Sequence, residues 1–438
     1  MKLFVFRGAR KVGVLDIEAN ESFFGFTYDN DYLASSEALP LSVSLPLAET
    51  RYPGNRAQAY FEGLLPEGEA RDAIARRLGI PRKSSVKLLA ALGRDCAGDV
   101  TIINENEIPK TDPGLGRDKS MQYLRFDEGG ISRIAGNPHE EISRLQEDTR
   151  LSLAGAQGKL ALYHKHGESI QGGWYVPAQG SPSTHIVKPG ILESHYPHIT
   201  LNEFLCVRAA PACGIPAAGV DILFPETPVI IASRYDRVMG GKTVNGLEIV
   251  DRMHQEDCCQ ACGVKSEQKY EHDGGPGFKQ IRDMLTRHSR IPAEDITLLV
   301  KWGLYNFLIG NCDAHSKNLS ILQNSDGTVS LAPVYDLICT TIYDGHFGSK
   351  LSRNLGMRIG IHENIDKVSK DDFSVFAKDV SIRLQQVRNL SDEIVQSLPS
   401  ALFRAASEAE DAGFTNAGEV AGRIISNSEN RIGILKYI

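Results

Sequence analysis

Over the first fifty residues apolar and polar positions alternate in short runs. Lys2–Arg7 and Lys11–Ile17 flank Gly8-Ala9-Arg10, which predicts two strands joined by a three-residue hairpin loop. Phe23–Tyr28 and Leu41–Leu47 extend the alternation, and Pro40 and Pro46 predict an edge position for the last run, because proline donates nothing to a ladder. The period turns helical at Glu67–Leu78 and Ser84–Leu92, with Gly79 and Gly93 as C-terminal stops, and Gly98–Asn104 reads as a strand. Residues 106–147 are polar and broken by Pro109, Pro113 and Pro138, the pattern of a linker, with a short helix predicted at Glu140–Asp148.

Strand patterns return at Thr149–Leu153, Lys159–Tyr163, Trp174–Pro177, Thr184–Lys188, Gly219–Phe224, Pro228–Ser233 and Leu247–Asp251, with one helical stretch near Thr200–Ala210. From about residue 277 the period is helical, at Gly277–Arg287, Glu294–Ile309, Asp371–Asp379, Asp392–Ala406 and Ala417–Lys436, with a short strand at Val329–Val334. The expected division is an N-terminal subdomain at 1–105, a linker at 106–148, a sheet region at 149–250 and a helical lobe at 251–438. This is an α+β chain, and a sheet carrying one helix ahead of a helical half is the gross order of a two-lobed protein-kinase-like fold. Here it would carry an added N-terminal α/β subdomain and a mostly helical C-terminal lobe.

Composition narrows the classes. A chain of 438 residues is long enough for about three domains. A net charge of −7 with pI near 6.0 argues against a strongly basic nucleic-acid binder, so DNA contact would need a local patch or a basic partner. The N-terminal apolar run is too short for a signal peptide, and no run of 18 apolar residues predicts a membrane span. The eight cysteines sit mostly in apolar surroundings, as small core residues do; a cytoplasmic protein is expected.

The densest chemistry lies in Asn311-Cys312-Asp313-Ala314-His315-Ser316-Lys317-Asn318, after an apolar helix. Protein kinases place an Asp and an Asn at this spacing: the Asp accepts the substrate hydroxyl proton and the Asn holds Mg²⁺. Asp313 and Asn318 would take those roles. His315 and Lys317 lie between them, and Tyr335 precedes Asp336, the second metal ligand, in Pro333-Val334-Tyr335-Asp336. Plain helix-stop chemistry is the competing reading. In Ser152–Lys159 the small residues Ala154, Gly155 and Ala156 with Gln157 would let backbone N–H groups approach phosphates, and Lys159 adds charge; an ordinary tight hairpin is the alternative. It is not a Walker A loop, since Leu153 and Leu160 stand where that pattern needs Gly and Ser or Thr. Lys188 ends an apolar strand and Glu203 opens the next helix, the order of the kinase Lys–Glu pair, although each alone reads as a surface charge. Ser233, Arg234 and Tyr235 fall where a hinge between lobes would bond adenine through its backbone. His254 with Cys258, Cys259 and Cys262 is half of a zinc pattern, and no second Cys pair follows it.

Taken together these stretches resemble the HipA family, bacterial serine/threonine kinases that act as toxins of type II toxin–antitoxin pairs. The resemblance is carried by LPLSVSLPL (39–47), GRDCAGDVTI (93–102), LSLAGAQGKLAL (151–162), THIVKP (184–189), NEF (202–204), RYDR (234–237), QEDCCQACG (255–263), KYEHDGGPG (269–277), NCDAHSKNLS (311–320) and PVYDL (333–337). They run in family order over nearly the whole chain. The resemblance implies ATP between the lobes, Asp313 as catalytic base, Asn318 and Asp336 on Mg²⁺, Lys188 on the phosphates and Ser233–Tyr235 as hinge. It also implies autophosphorylation at Ser152 that switches the kinase off, and a small HipB-like helix-turn-helix antitoxin through which operator DNA is bound. A translation factor, glutamyl-tRNA synthetase in the family's best-known member, is the implied substrate. Gly158 stands where an acidic residue is common and Ser233 where Glu is common, and neither change removes a catalytic group. A catalytically silent scaffold that only binds antitoxin and operator is the alternative, and intact Lys188, Asp313, Asn318 and Asp336 argue against it.

Overall fold

Alternating and helical patterns both emerge as elements of the computed structural model, which describes residues 2–17, 24–107, 121–126, 129–138, 141, 145, 158–178, 180–193, 195–343 and 351–438. In its first part these are β1 (Leu3–Arg7), β2 (Arg10–Ile17), β3 (Phe24–Tyr28), α1 (Asn30–Leu33), β4 (Arg51–Tyr52), α2 (Gly54–Gly63), α3 (Gly68–Arg77), α4 (Ser85–Leu92) and β5 (Val100–Asn104). Then come β6 (Gln122–Arg125), α5 (Gly130–Gly136), β7 (Leu160–His164), β8 (Trp174–Ala178), β9 (His185–Pro189), α6 (Ile199–Ala209), β10 (Val220–Leu223), β11 (Val229–Ser233), β12 (Arg237–Val244) and β13 (Leu247–Arg252). The remainder comprises β14 (Gln255–Asp257), α7 (Cys258–Cys262), α8 (Phe278–His288), α9 (Pro292–Ile309), β15 (Ser320–Gln323), β16 (Val329–Leu331), β17 (Asn354–Ile359), β18 (His362–Asn364), α10 (Asp372–Asp379), α11 (Leu384–Asp411) and α12 (Ala417–Leu435). By its contacts the chain forms two compact units, one of Met1–Lys188, Ser233–Ser266 and Leu322–Gly327, the other of Pro189–Ala232, Glu267–Ile321 and Thr328–Ile438.

In the first unit an antiparallel sheet in the order β4-β3-β2-β1-β5 turns one face to a core. Leu3, Val5, Val12, Leu15, Phe24 and Phe26 from the strands pack with Tyr60, Phe61 and Leu64 of α2 and Val86, Leu89 and Leu92 of α4. Arg7 pairs with Arg10, so the hairpin loop is the two residues Gly8-Ala9 and not three. α2 was missed by its sequence pattern because Gly54, Asn55 and Gly63 mask an apolar stripe at Ala57, Tyr60, Phe61 and Leu64. β6 and α5 fall inside the range expected to be a linker: β6 pairs antiparallel with β8 from Gln122–Ala178 to Arg125–Tyr175. Within this unit β6, β8, β7 and β9 lie side by side. β12 also escaped notice, because Gly240-Gly241-Lys242-Thr243 reads as loop and sits at the irregularity between Met239 and Thr243.

The expected strand at Leu41–Leu47 is absent; one bridge, Ser42 to Leu45, is all that forms. Here a side chain replaces the ladder. The Val43 N–H donates to Glu256 Oε1 at 2.9 Å and the Ser42 hydroxyl to Glu256 Oε2 at 2.5 Å. Burial pushes the Glu256 carboxyl up to about 8, against the pull of those two donors. A raised acid is protonated in the fold and ionised when unfolded, so its stabilising contribution is complete below the ordinary value of 4.5 and lost as pH rises through about 8. The thermal midpoint of the wild type should therefore fall between pH 5 and pH 9 more steeply than that of Glu256→Gln, whose amide keeps both bonds without titrating. Parallel profiles for the two proteins would remove Glu256 as the cause.

Close by, a buried ion cluster ties the segment around Asp95 to the segment after β11. Asp236 accepts from Arg234 Nε at 3.0 Å, Arg234 Nη2 at 2.7 Å, Arg237 Nη1 at 2.6 Å and the Gly98 N–H at 2.8 Å. Asp95 meets Arg237 Nη2 at 3.1 Å and Arg252 Nη2 at 2.8 Å, and accepts from the Ser183 hydroxyl at 3.0 Å. His254 is likewise built in: Nδ1 lies 2.6 Å from Asp99 Oδ1 and Nε2 2.9 Å from the Leu41 carbonyl oxygen. Both ring nitrogens are thus occupied within the core, and Cys258 and Cys259 are buried beside Glu256 and Asp257. Among the described residues no cluster of three or more His, Cys, Asp or Glu is placed to hold a metal ion.

The second unit is built on α9, whose Leu299, Trp302, Leu304, Tyr305, Phe307, Leu308 and Ile309 are all buried. α11 runs further than its expected Asp392–Ala406, spanning 28 residues with Pro399 inside. Its buried positions, Val387, Ser391, Ile394, Leu398, Leu402, Ala405 and Ala409, recur at spacings of three and four, so small and apolar side chains form one stripe along its length. Among the described residues no helix is long and apolar enough to cross a membrane.

Candidate active site

α9 delivers the chain into the Asp313 loop. Gly310 ends the helix at φ 76°, and its N–H and that of Asn311 bond back to Phe307 and Asn306. A Cβ here would lie 2.0 Å from Thr341 Oγ1, so the stop needs glycine for space as well as for backbone angle. Asn311 Nδ2 donates to Asn306 Oδ1 at 2.8 Å, and Asn311 Oδ1 accepts the Asp313 N–H at 3.1 Å. The Cys312 N–H donates to Thr340 Oγ1 at 2.9 Å. The His315 N–H returns to the Asp313 carbonyl at 2.9 Å, and the Asn318 N–H to the His315 carbonyl at 2.9 Å. The helix-stop reading is thus true of Gly310 and Asn311, and it leaves Asp313 unexplained.

Asp313 is exposed, while the flanking residues from Asn311 to Ser320 are buried. Asn318 donates from Nδ2 to the Asp313 carbonyl at 3.2 Å, which leaves Oδ1 as the acceptor of its amide. Lys317 is braced through its carbonyl, which accepts from the Tyr335 hydroxyl at 2.8 Å; that hydroxyl lies 2.7 Å from Ser320 Oγ. One residue on, Asp336 takes φ 52°, a left-handed conformation costly for a residue other than glycine and common at functional sites. Val334 just before it pairs with Ala217 in a parallel bridge. From β17, Gly356 comes against the loop: a Cβ there would fall 2.7 Å from the Ala314 carbonyl carbon.

Tyr270 was not singled out by sequence reasoning, where it appears only within the KYEHDGGPG stretch. Its hydroxyl donates to Asp313 Oδ1 at 2.6 Å, and its ring meets His315 edge-on at 5.1 Å. Glu271 next to it holds Arg358 of β17 at 2.9 Å. Forty-three residues separate Tyr270 from Asp313. No local pattern spans that gap; the only sequence signal is the KYEHDGGPG stretch itself.

Asp313, His315, Lys317, Asn318, Tyr335, Asp336 and Glu203 belong to the second unit, and Lys159, Lys188, Ser233, Arg234 and Tyr235 to the first. Glu203 lies on α6, whose neighbouring Asn202 donates to the Cys339 carbonyl at 2.9 Å and accepts the Cys339 N–H at 3.0 Å. Ala154, Gly155, Ala156, Gln157 and Ser152 lie outside the described residues.

Arg234, in the expected hinge, is tied into the first unit. Its guanidinium is buried in the Asp236 cluster, and its N–H donates to the Thr184 carbonyl at 2.9 Å, so neither is presented to a nucleotide. Tyr235 gives its hydroxyl to Gln255 Oε1 at 2.6 Å. Ser233 Oγ lies 3.2 Å from His185 Nε2, and Thr184 Oγ1 lies 2.9 Å from His185 Nδ1. Burial among these groups pulls His185 down to about 4, so the ring is neutral near pH 7.

A family model for the HipA-like C-terminal domain matches residues 151–402, and one for the HipA N-terminal domain matches residues 3–103. The putative kinase Y4mE of Sinorhizobium fredii is 36% identical over 392 residues, covering 88% of each chain. The serine/threonine-protein kinase toxin HipA of Shewanella oneidensis is 30% identical over 350 residues, 77% of this chain and 75% of that one. Among solved structures, a chain in the Shewanella oneidensis MR-1 complex of HipA, HipB and operator DNA superposes with a TM-score of 0.79 at 24% identity, covering 99% of this chain and 98% of that one, a likeness of fold.

Proposed function

Because the chain belongs to the HipA family, we propose that it is an ATP- and Mg²⁺-dependent serine/threonine protein kinase acting as the toxin of a toxin–antitoxin pair. The observation that carries this reading is the Asp313 loop: one exposed carboxylate, held from the side by a tyrosine hydroxyl, five residues before an amide whose nitrogen bonds back to the Asp313 carbonyl. Asp313 would accept the proton of the attacking serine or threonine hydroxyl. Asn318 and Asp336 supply the hard oxygen donors that Mg²⁺ takes when it shares its shell with phosphates and water, and the ion would neutralise charge on the transferring group. Lys188 and Lys159 would hold phosphates, with Glu203 orienting Lys188; His315, Lys317 and Tyr335 would line the nucleotide. Ser233 and Tyr235 would face the base, with the carbonyl of Arg234 as that residue's remaining contribution.

Tyr270 acts in this scheme as a positioning residue. Tyr270→Phe should lower kcat by about tenfold, the scale of a hydrogen bond to a charged group, and leave KM for ATP unchanged. A change confined to KM would assign Tyr270 to nucleotide binding instead.

The proposed partners are a HipB-like helix-turn-helix antitoxin and, mainly through it, operator DNA. The proposed substrate is a translation factor, with glutamyl-tRNA synthetase the first to test, and phosphorylation of Ser152 would switch the kinase off by placing about −1.5 to −2 charges beside the nucleotide phosphates. The experiment is incubation with labelled ATP, with Mg²⁺ or chelator, with and without cytosolic extract, followed by mass spectrometry. Mg²⁺-dependent label on an extract protein or on Ser152 supports the kinase. A folded protein that transfers no phosphate would leave the silent scaffold.

A further inference from the structure

The four successive N–H groups that lead into the Asp313 loop are satisfied in three different ways. Those of Gly310 and Asn311 bond back to α9, at the Phe307 and Asn306 carbonyls. That of Asp313 is taken within the loop, by Asn311 Oδ1 at 3.1 Å. The Cys312 N–H is the one of the four that leaves the loop, and it donates to Thr340 Oγ1 at 2.9 Å. The same hydroxyl donates to the Gly310 carbonyl at 3.0 Å, so one side chain joins both ends of the Gly310–Cys312 turn. The N–H groups of Thr340 and Thr341 add bonds to that carbonyl at 3.1 and 3.2 Å. The carbonyl therefore keeps two donors whatever side chain residue 340 carries, whereas the Cys312 N–H depends on the hydroxyl.

Thr340 follows Asp336 by four positions, and its segment is held from two further elements. Asn202 of α6, fully buried next to Glu203 in the chain, brackets Cys339 from both sides: Nδ2 donates to its carbonyl at 2.9 Å and Oδ1 accepts its N–H at 3.0 Å. From α12, Asn427 Oδ1 accepts from Thr341 Oγ1 at 2.6 Å and from Arg431 Nη2 at 2.7 Å. Arg431 Nε in turn donates to the Leu308 carbonyl at 3.1 Å, at the end of α9. The segment cannot shift without breaking these bonds, so it is a fixed post against which the loop is set. All of these residues belong to the second unit.

We propose that Thr340 is a positioning residue for phosphotransfer. Its hydroxyl fixes the Cys312 peptide, and through it the exposed Asp313 carboxylate, against the segment that follows Asp336. The inference rests on the kinase reading above. A general base works only within hydrogen-bond reach of the proton it removes, and a displacement of about 1 Å can cost on the order of 10²-fold in rate. Tyr270 holds one oxygen of that carboxylate, and Thr340 holds the backbone from which it projects. Without the hydroxyl the Cys312 N–H must turn toward another acceptor, and Asp313, the next residue, turns with it.

The test compares Thr340→Val, which keeps the shape and removes the hydroxyl, with Thr340→Ser, which keeps the hydroxyl. Transfer from labelled ATP, with cytosolic extract as the source of acceptor, is followed against ATP concentration at a temperature well below the unfolding midpoint. Thr340→Val should lower the maximal rate by about tenfold to hundredfold with KM for ATP unchanged, and Thr340→Ser should stay within about threefold of the wild type. A purely structural role would lower the unfolding midpoint and leave the maximal rate of the folded protein in place; that result, or a loss confined to KM, overturns the proposal. Hydrogen–deuterium exchange at the Cys312 amide gives a second readout that needs no activity. Faster exchange in Thr340→Val but not in Thr340→Ser supports the tie, and unchanged exchange in Thr340→Val overturns it. A wild type that transfers no phosphate would end the kinase reading, and the exchange result would still decide whether Thr340 holds the loop.

Discussion

Asp313→Ala is expected to fold and bind ATP and to lose phosphotransfer by roughly 10²–10⁴-fold, the usual contribution of a positioned general base. Folding should survive because the carboxylate is exposed, and the side chain that holds it is Tyr270, through its hydroxyl. The backbone of the loop is fixed by other atoms: Asn311 Oδ1, the Asp313 carbonyl and Thr340 Oγ1 do that work. Asp313→Asn should fare no better than Ala, since an amide keeps the shape and cannot accept the proton. Asp336→Ala offers a contrast, because it should weaken Mg²⁺-dependent ATP binding, whereas the Asp313 variants leave that binding intact. Calorimetric ATP titrations with and without Mg²⁺, beside single-turnover rates, separate the two. Near-wild-type turnover by folded Asp313→Ala would end its assignment as the base.

The largest effect on stability is expected at Asp236. Three guanidiniums, from Arg234, Arg237 and Arg252, share two carboxylates, Asp95 and Asp236, and all but Arg252 are essentially without solvent. The cluster already carries one positive charge in excess, and burial with Arg234 alongside pulls Arg237 down to about 10. Asp236→Ala leaves three cations facing one carboxylate, and breaking a buried pair from one side costs about 3–5 kcal/mol. Asp236→Asn, which keeps the shape, should still lose most of that, because charge and not volume is the deficit. Replacing Arg237 by Met in the Asp236→Ala background should recover part of it. Urea unfolding measures each, and a loss under about 1 kcal/mol for Asp236→Ala would show that the cluster contributes little. The same residues fix the acid limit. Their arginines hold Asp95 and Asp236 below the ordinary 3.8, so the stability they provide is complete above that pH and is lost as pH falls through the lowered values.

These two sites differ in how far the sequence disclosed them. Asp313 and Asn318 were legible as candidate residues because their pattern is local: an Asp and an Asn five positions apart in one loop, a spacing that survives any packing around them. Tyr270 was not, since its bond to Asp313 depends on two loops 43 residues apart. Arg234 was read as part of a hinge that would bond adenine through its backbone, and only the structure shows that its side chain belongs to the Asp236 cluster. A charged residue after an apolar strand looks the same in sequence whether it faces a ligand or a buried carboxylate.

The sequence by itself determined the α+β class, the positions of most strands and helices and the family, because these rest on local periodicity and on short stretches of fixed spacing. It also supplied the oxygens and cations that the proposed phosphate chemistry would use. Only the tertiary structure decided that Leu41–Leu47 is held by Glu256 in place of a ladder, and that β6 and α5 occupy the supposed linker. Tertiary structure likewise joined Asp95 to Arg237 and brought Thr340 to the Cys312 N–H. The physical reason is common to all of these. Buried polar groups must find partners wherever the fold brings them, often more than a hundred residues away, and no pattern within one segment encodes which partner that will be.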